Sequence, residues 1–194
     1  VVSADSATAY GSGSPRVVLI DRRPRRIETT IPVGSSPQGV ALSPDGTLLV
    51  TANAGSNTVS VVSLATNTVI GTVAAGAGAF DVVISPDSQF AYVPNQVSSP
   101  PSVSVIDLDA LTNVATITGV GSYPTGIAMT PDGSTLVTAN YVGNSVSVID
   151  VATRAVVATV TGVPDAGRVS ISPDGTTAYV TNYSASTISV IDLT

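Results

Sequence analysis

Residues 172–192 read SPDGTTAYVTNYSASTISVID: a Ser-Pro-Asp-Gly turn, an apolar run closing on Asn182, a polar loop, and an alternating run closing on Asp192. Working outward from this stretch, the same phrase returns along the chain. The turn stands as Thr130-Pro131-Asp132-Gly133, Ser85-Pro86-Asp87-Ser88 and Ser43-Pro44-Asp45-Gly46, so successive turn aspartates lie 42, 45 and 42 residues apart. A worn copy, Ser3-Ala4-Asp5-Ser6, precedes Asp45 by 40 residues. The closing run returns at residues 17–21, 59–63, 103–107 and 146–150. Self-similarity at this period marks a repeat architecture, in which each unit is one supersecondary element that buries its faces against its neighbours.

Each unit predicts four strands. Strand A, residues 39–43 in the second unit, is apolar nearly throughout, as an inner strand is. Ser-Pro-Asp-Gly then turns the chain: Pro presets φ, Asp bonds its own backbone, and Gly accepts a positive φ. Strand B is residues 48–53, strand C the Ser-Val-Ser-Val-Ile-Asp type run with period two, and strand D residues 69–73 with echoes at 114–117 and 156–160. β-Branched residues dominate every run and no helical periodicity occurs. The expected fold is therefore all-β: a β-propeller of four-stranded antiparallel blades, in one domain over residues 1–194, with units near 1–34, 35–76, 77–121, 122–162 and 163–194. Five blades are present, and the last lacks its outer strand. Either the ring closes with five blades, or these five belong to a larger ring.

Tyr179-Val180-Thr181-Asn182, the turn and the S-V-x-V-I-D run, in register five times over, resemble the YVTN-type β-propeller repeat of surface-layer and other extracytoplasmic proteins. The resemblance covers the whole chain. It implies a propeller and an extracytoplasmic location (secreted, periplasmic or cell-surface), but no particular ligand, since such blades serve scaffolds, lactonase-like enzymes and electron-transfer subunits. Blade one departs from it: Gly11-Ser12-Gly13 stands where Val-Thr-Asn is expected.

Composition narrows the chemistry. The 194 residues include seven Arg, no Lys, twelve Asp and one Glu, for a net charge of −6, and no His or Cys. No imidazole base, thiolate, disulfide, zinc site of the usual kind or Schiff-base lysine is available. No metal, cofactor or catalytic residue is expected, and an electron-transfer subunit would need cofactor ligands this chain cannot supply alone. The acidic balance argues against a nucleic-acid partner. No apolar run approaches the roughly 20 residues of a membrane span. The chain opens on Val1-Val2-Ser3 without an apolar leader, as a processed or internal piece would.

Repeats build the scaffold, so residues that break the repeat are the site candidates. The position just before strand A's first Val or Ile is Gly39 in blade two and Gly126 in blade four, but Asp81 in blade three and Arg168 in blade five. The preceding position holds Gln38, Phe80, Thr125 and Gly167. Asp81, Arg168, Phe80, Gln38 and Thr125 are thus the candidates for ligand binding at the central mouth. The plainer reading is that Asp81 and Arg168 pair with each other. The turn aspartates and the asparagines Asn53, Asn95, Asn140 and Asn182 read as structural, because repetition suits a scaffold better than a single site. Blade three adds a longer loop, residues 96–102, whose Pro100-Pro101 points to polyproline II.

Charge is also uneven. Residues 16–26 carry a local +4, against −10 for the remainder. Arg22, Arg23, Arg25 and Arg26 form either a docking patch for an acidic protein or anionic polymer, or a solvated hairpin tip. The expected function is a non-enzymatic extracytoplasmic scaffold or binding module for protein or polymer partners. The alternative is a lactonase-like hydrolase or lyase working through Asp and Arg, or a bound metal, at the central mouth.

Overall fold

The structure, a computed structural model, describes residues 8–13, 15–21 and 26–194. Among these residues every regular element is a β-strand. Blade one comprises β1 (Thr8–Gly13), β2 (Arg16–Asp21) and β3 (Arg26–Pro32). Blade two is β4 (Pro37–Leu42), β5 (Leu48–Asn53), β6 (Thr58–Ser63) and β7 (Thr68–Ala74). Blade three is β8 (Val83–Ile84), β9 (Phe90–Asn95), β10 (Ser102–Asp107) and β11 (Thr112–Thr118). Blade four is β12 (Pro124–Met129), β13 (Thr135–Asn140), β14 (Ser145–Asp150) and β15 (Ala155–Thr161). Blade five is β16 (Ala166–Ile171), β17 (Thr177–Asn182) and β18 (Thr187–Asp192). Each sheet is an antiparallel meander in chain order, so strands A to D run from one edge of a blade to the other. The expected propeller of antiparallel blades is the observed fold, and blade five stops after its third strand.

The turns hold by the chemistry their sequence prescribes. In blade two the Ser43 hydroxyl donates to Asp45 Oδ1 at 2.5 Å, and the same oxygen accepts the Thr47 N–H at 3.0 Å. Ser43 Oγ accepts the Leu48 N–H at 2.9 Å, which fixes the start of strand B. The arrangement repeats at Ser85/Asp87, Thr130/Asp132 and Ser172/Asp174. These bonds favour the charged carboxylate. The Ser172 hydroxyl, then the Thr176 N–H, lower Asp174 from 3.8 to about 2. Asp45, Asp87 and Asp132 are lowered for the same reason, each first by its own Ser or Thr hydroxyl.

Packing runs from blade to blade. Val17, Leu19 and Ile31 of blade one meet Leu49 and Val62 of blade two. Val50, Val59 and Val61 of blade two meet Ala91, Val93 and Ile106 of blade three. Tyr92, Val103 and Val105 then meet Ile127, Leu136 and Ile149 of blade four. Val137, Ala139 and Val146 meet Ala178, Val180 and Ile191 of blade five. Each interior blade is buried on both faces, which is why strand B reads as a nearly continuous apolar run and why the serines alternating along strand C, Ser60, Ser104 and Ser147, are buried as well.

Blade five is different. Its far face carries Tyr179, Ile188 and Val190, which are 45%, 63% and 67% exposed, whereas the blade-four residues at the same positions, Val137 and Val146, are fully buried. That face has the composition of an inter-blade contact, with no blade against it among the described residues.

Candidate functional site

The A strands of successive blades approach one another at the hub, and the D strands do so at the rim. Strand A does not pair regularly along its length. In blades two, four and five the register slips between Pro37 and Val40, Pro124 and Ile127, and Ala166 and Val169. Two residues of strand A thereby face one of strand B, a β-bulge that re-aims side chains. The bulged residues are Gln38-Gly39, Thr125-Gly126 and Gly167-Arg168. In blade three the break is wider: Ala79 bridges Asn95, pairing resumes only at Val83, and Phe80 and Asp81 lie in the gap. The repeat-breaking positions of the sequence are thus the positions that the backbone turns out of the ladder.

The glycines at these positions have a steric cause. A Cβ on Gly39 would lie 2.6 Å from Asp81 Cα, and one on Gly126 would lie 2.5 Å from the Gly167 carbonyl oxygen. Blades two and four give way at the hub so that the backbones carrying Asp81 and Arg168 can approach. The two charges meet. Arg168 Nη1 donates to Asp81 Oδ2 at 2.6 Å, and the Arg168 guanidinium carbon lies 5.7 Å from the centroid of the Phe80 ring. Asp81 Oδ1 accepts the Val82 N–H at 3.0 Å, so both carboxylate oxygens are engaged. The Arg168 side chain is 58% exposed and that of Asp81 16%. A guanidinium carries five N–H donors in a fixed fork, and Asp81 anchors one side of it while the rest faces solvent.

Other candidates fall into place around this pair. Thr125 is buried, and its hydroxyl lies 3.2, 3.2 and 2.9 Å from the carbonyl oxygens of Ala139, Ala166 and Gly167. It seats the strand that carries Arg168. Gln38 is exposed on the blade-two bulge. Arg22, Arg23 and Arg25 lie outside the described residues, and Arg26 opens β3. In the blade-three loop the Ser99-Pro100 bond is cis.

The asparagines are structural. Asn95 Nδ2 donates to Ser102 and Ser104 Oγ, each at 3.0 Å, and Asn95 Oδ1 accepts the Gly76 N–H at 3.0 Å. Asn140 and Asn182 clamp strand B to strand C in the same way.

Three tyrosines that sequence reasoning passed over gather on the loop face of blades four and five. The Tyr123 and Tyr141 rings lie 6.2 Å apart, and Tyr141 and Tyr183 lie 6.4 Å apart. Tyr141 and Tyr183 follow the strand-B asparagines, where blades two and three have Ala54 and Gln96. Tyr123 adopts φ +60°, at the left-handed position taken by Ser36, Gly78 and Asp165 in the other blades. All three break the repeat, the same signal that found Asp81 and Arg168, and it was legible at these positions too.

The opposite face holds the A–B and C–D turns. A groove of about 400 Å³ lies there between blades three and four, lined by Asp87, Asp132 and Arg154 among others. Both aspartates are tied into their own turns. Among the described residues no three His, Cys, Asp or Glu side chains converge to hold a metal ion, and no helix is long and apolar enough to cross a membrane.

The blades and their hub define a β-propeller, and the chain belongs to the family described as Lactonase, 7-bladed beta-propeller, which it matches over residues 68–166, just over half of its length. Among solved structures it is similar to Kuenenia stuttgartiensis hydrazine synthase, at 29% identity with a TM-score of 0.86. That match covers 92% of this chain and 53% of the other, so the chain spans about half the length of that relative. A functionally unknown protein from Desulfotomaculum acetoxidans DSM 771 shares the fold at 21% identity and a TM-score of 0.85, over 99% of this chain and 68% of that one. A PE-PGRS family protein, PE_PGRS18 of Mycobacterium tuberculosis (strain ATCC 25618 / H37Rv), is 50% identical over 52 residues, 27% of this chain and 11% of that protein.

Proposed function

We propose that this chain is a non-enzymatic binding module of a YVTN-type, extracytoplasmic propeller, and that its hub presents Arg168 to a carboxylate-bearing protein or polymer. The observation that carries this reading is the state of Asp81. Both of its oxygens are engaged, one by Arg168 and one by the Val82 N–H. A carboxylate held in this way orients a guanidinium, and an oriented, half-exposed guanidinium recognises a second carboxylate through its remaining donors.

Family membership favours a second reading, a lactone hydrolase. Asp81 would then take the proton from the attacking water, and Arg168 would hold the carbonyl oxygen of the ring that opens. In that role Asp81 would take the proton on an oxygen that already accepts from Arg168 or from the Val82 N–H.

A pair of assays separates the readings. Poly-glutamate, titrated calorimetrically into the wild type and Arg168→Gln, is expected to bind the wild type in a salt-sensitive way and the variant much more weakly. Turnover of simple lactones that disappears in Asp81→Asn would instead establish the hydrolase. Fractionation of the source cells tests the location, and recovery of the chain in the cytoplasmic fraction would contradict it.

A further inference from the structure

The aromatic cluster and Arg168 belong to one surface. The Arg168 N–H donates to Thr181 Oγ1 at 2.9 Å, and Thr181 lies two residues before Tyr183. The Tyr183 N–H donates to the Asp165 carbonyl at 3.2 Å, three residues before Arg168. From Tyr183 the rings step to Tyr141 and then to Tyr123. Tyr183 is 78% exposed, and Tyr123 reaches the surface from a left-handed backbone that L residues seldom adopt. The strip joins one guanidinium, that of Arg168, to three phenol rings.

Resting on the reading of Arg168 above, we propose that this strip binds an acidic polysaccharide: a uronic-acid carboxylate on Arg168, with neighbouring sugar rings on Tyr183, Tyr141 and Tyr123. The partner follows from the residue types. A sugar ring offers a face of C–H groups, and the negative face of an aromatic ring attracts such positive edges. Its hydroxyls suit the phenol O–H groups, which both donate and accept. Its carboxylate suits the free fork of Arg168. A basic peptide would meet Arg168 with like charge, and an acidic peptide would leave the phenol rings without a matching face.

Three probes test this by calorimetry: polygalacturonate, its fully methyl-esterified form, and poly-glutamate. Each is titrated into the wild type, Tyr141→Ala, Tyr183→Ala and Arg168→Gln, with thermal unfolding of every variant checking the fold. The wild type is expected to bind polygalacturonate about tenfold more tightly than either other probe. Each tyrosine variant is expected to lose about that factor for polygalacturonate while binding poly-glutamate as the wild type does. Arg168→Gln is expected to bind the acid and the ester alike. Tyrosine variants that bind polygalacturonate as the wild type does, with Arg168→Gln still impaired for poly-glutamate, would overturn the sugar platform and leave the carboxylate reading standing. Wild-type binding of the ester as tight as that of the acid would overturn the uronic-acid contact, and Arg168→Gln binding poly-glutamate as the wild type does would overturn the reading of Arg168 as well.

Discussion

Arg168 of blade five bonds Asp81 of blade three across the hub, at 2.6 Å and past the intervening blade four. Only residues on innermost strands can bridge blades that are not neighbours, so the pair marks both the axis and the side of the ring where strand A lies. Its reach depends on Gly39 and Gly126, whose missing side chains let the two carrier backbones come in.

The pair is expected to matter little for stability. Arg168 is more than half exposed, and exposed ion pairs contribute about 0.2–1 kcal/mol. A double-mutant cycle of Asp81→Asn and Arg168→Gln, read by denaturant unfolding, should give a coupling in that range, while binding at the hub is lost. A coupling several times larger would mean the pair is a structural strut.

Gly126→Ala should act in the opposite way. The added methyl would lie 2.5 Å from the Gly167 carbonyl oxygen and 2.8 Å from Arg168 Cα, both backbone atoms that cannot swing aside. Overpacking of this kind costs about 1–3 kcal/mol. Thermal unfolding should show the loss. Because the strand that must shift carries Arg168, binding at the hub should fall with it.

Acid should weaken the protein through its turns. Asp174 has a folded pKa of about 2 against 3.8 ordinarily, and Asp45, Asp87 and Asp132 are lowered too. Their folded forms hold protons less tightly than the unfolded chain, so the stability they contribute is complete above the ordinary carboxylate value. It is lost as pH falls from near 4 through about 2. Replacing the four aspartates with Asn should flatten the stability profile over that window. An unchanged slope would show that the turn bonds do not survive in solution.

The blade faces give a paired comparison. Val146 is fully buried between blades four and five, and Ile188 holds the same position on the open face of blade five at 63% exposure. Val146→Thr should destabilise by about 1–3 kcal/mol through its buried hydroxyl, and Ile188→Thr by less than about 0.5 kcal/mol. If Ile188→Thr is as costly as Val146→Thr in the intact protein, another blade covers that face there.

The repeat made the fold legible because propeller blades put the same residue types at the same hydrogen-bonding positions: Asp174 in its turn and Asn182 against its serine in strand C recur blade by blade. Strand ends were less legible. β4 begins at Pro37 rather than at Gly39, since pairing resumes on the far side of a bulge that no local pattern announces. Asp81 and Arg168 could be found as breaks in the repeat, but their meeting depended on the angle between blades three and five, which sequence does not carry. Thr125 broke the repeat for a different reason: its buried hydroxyl donates its one hydrogen among the carbonyls of Gly167, Ala139 and Ala166, of which Gly167 is nearest at 2.9 Å. The tyrosines break the repeat as openly as Asp81 does, but they stand in loops, where variation between repeats is ordinary and singles out no one residue.

The claim that Arg168 is the contact point at the hub is tested most directly by arginine side-chain NMR. Seven arginines and no lysine make the Nε–Hε spectrum short enough to assign completely by substitution. Titration with poly-glutamate should move the Arg168 signal saturably, with Arg154 and Arg16 unmoved, and Asp81→Asn should weaken the response. Shifts confined to Arg22, Arg23, Arg25 and Arg26, with Arg168 silent, would place acidic partners on blade one instead and contradict a binding role for the hub.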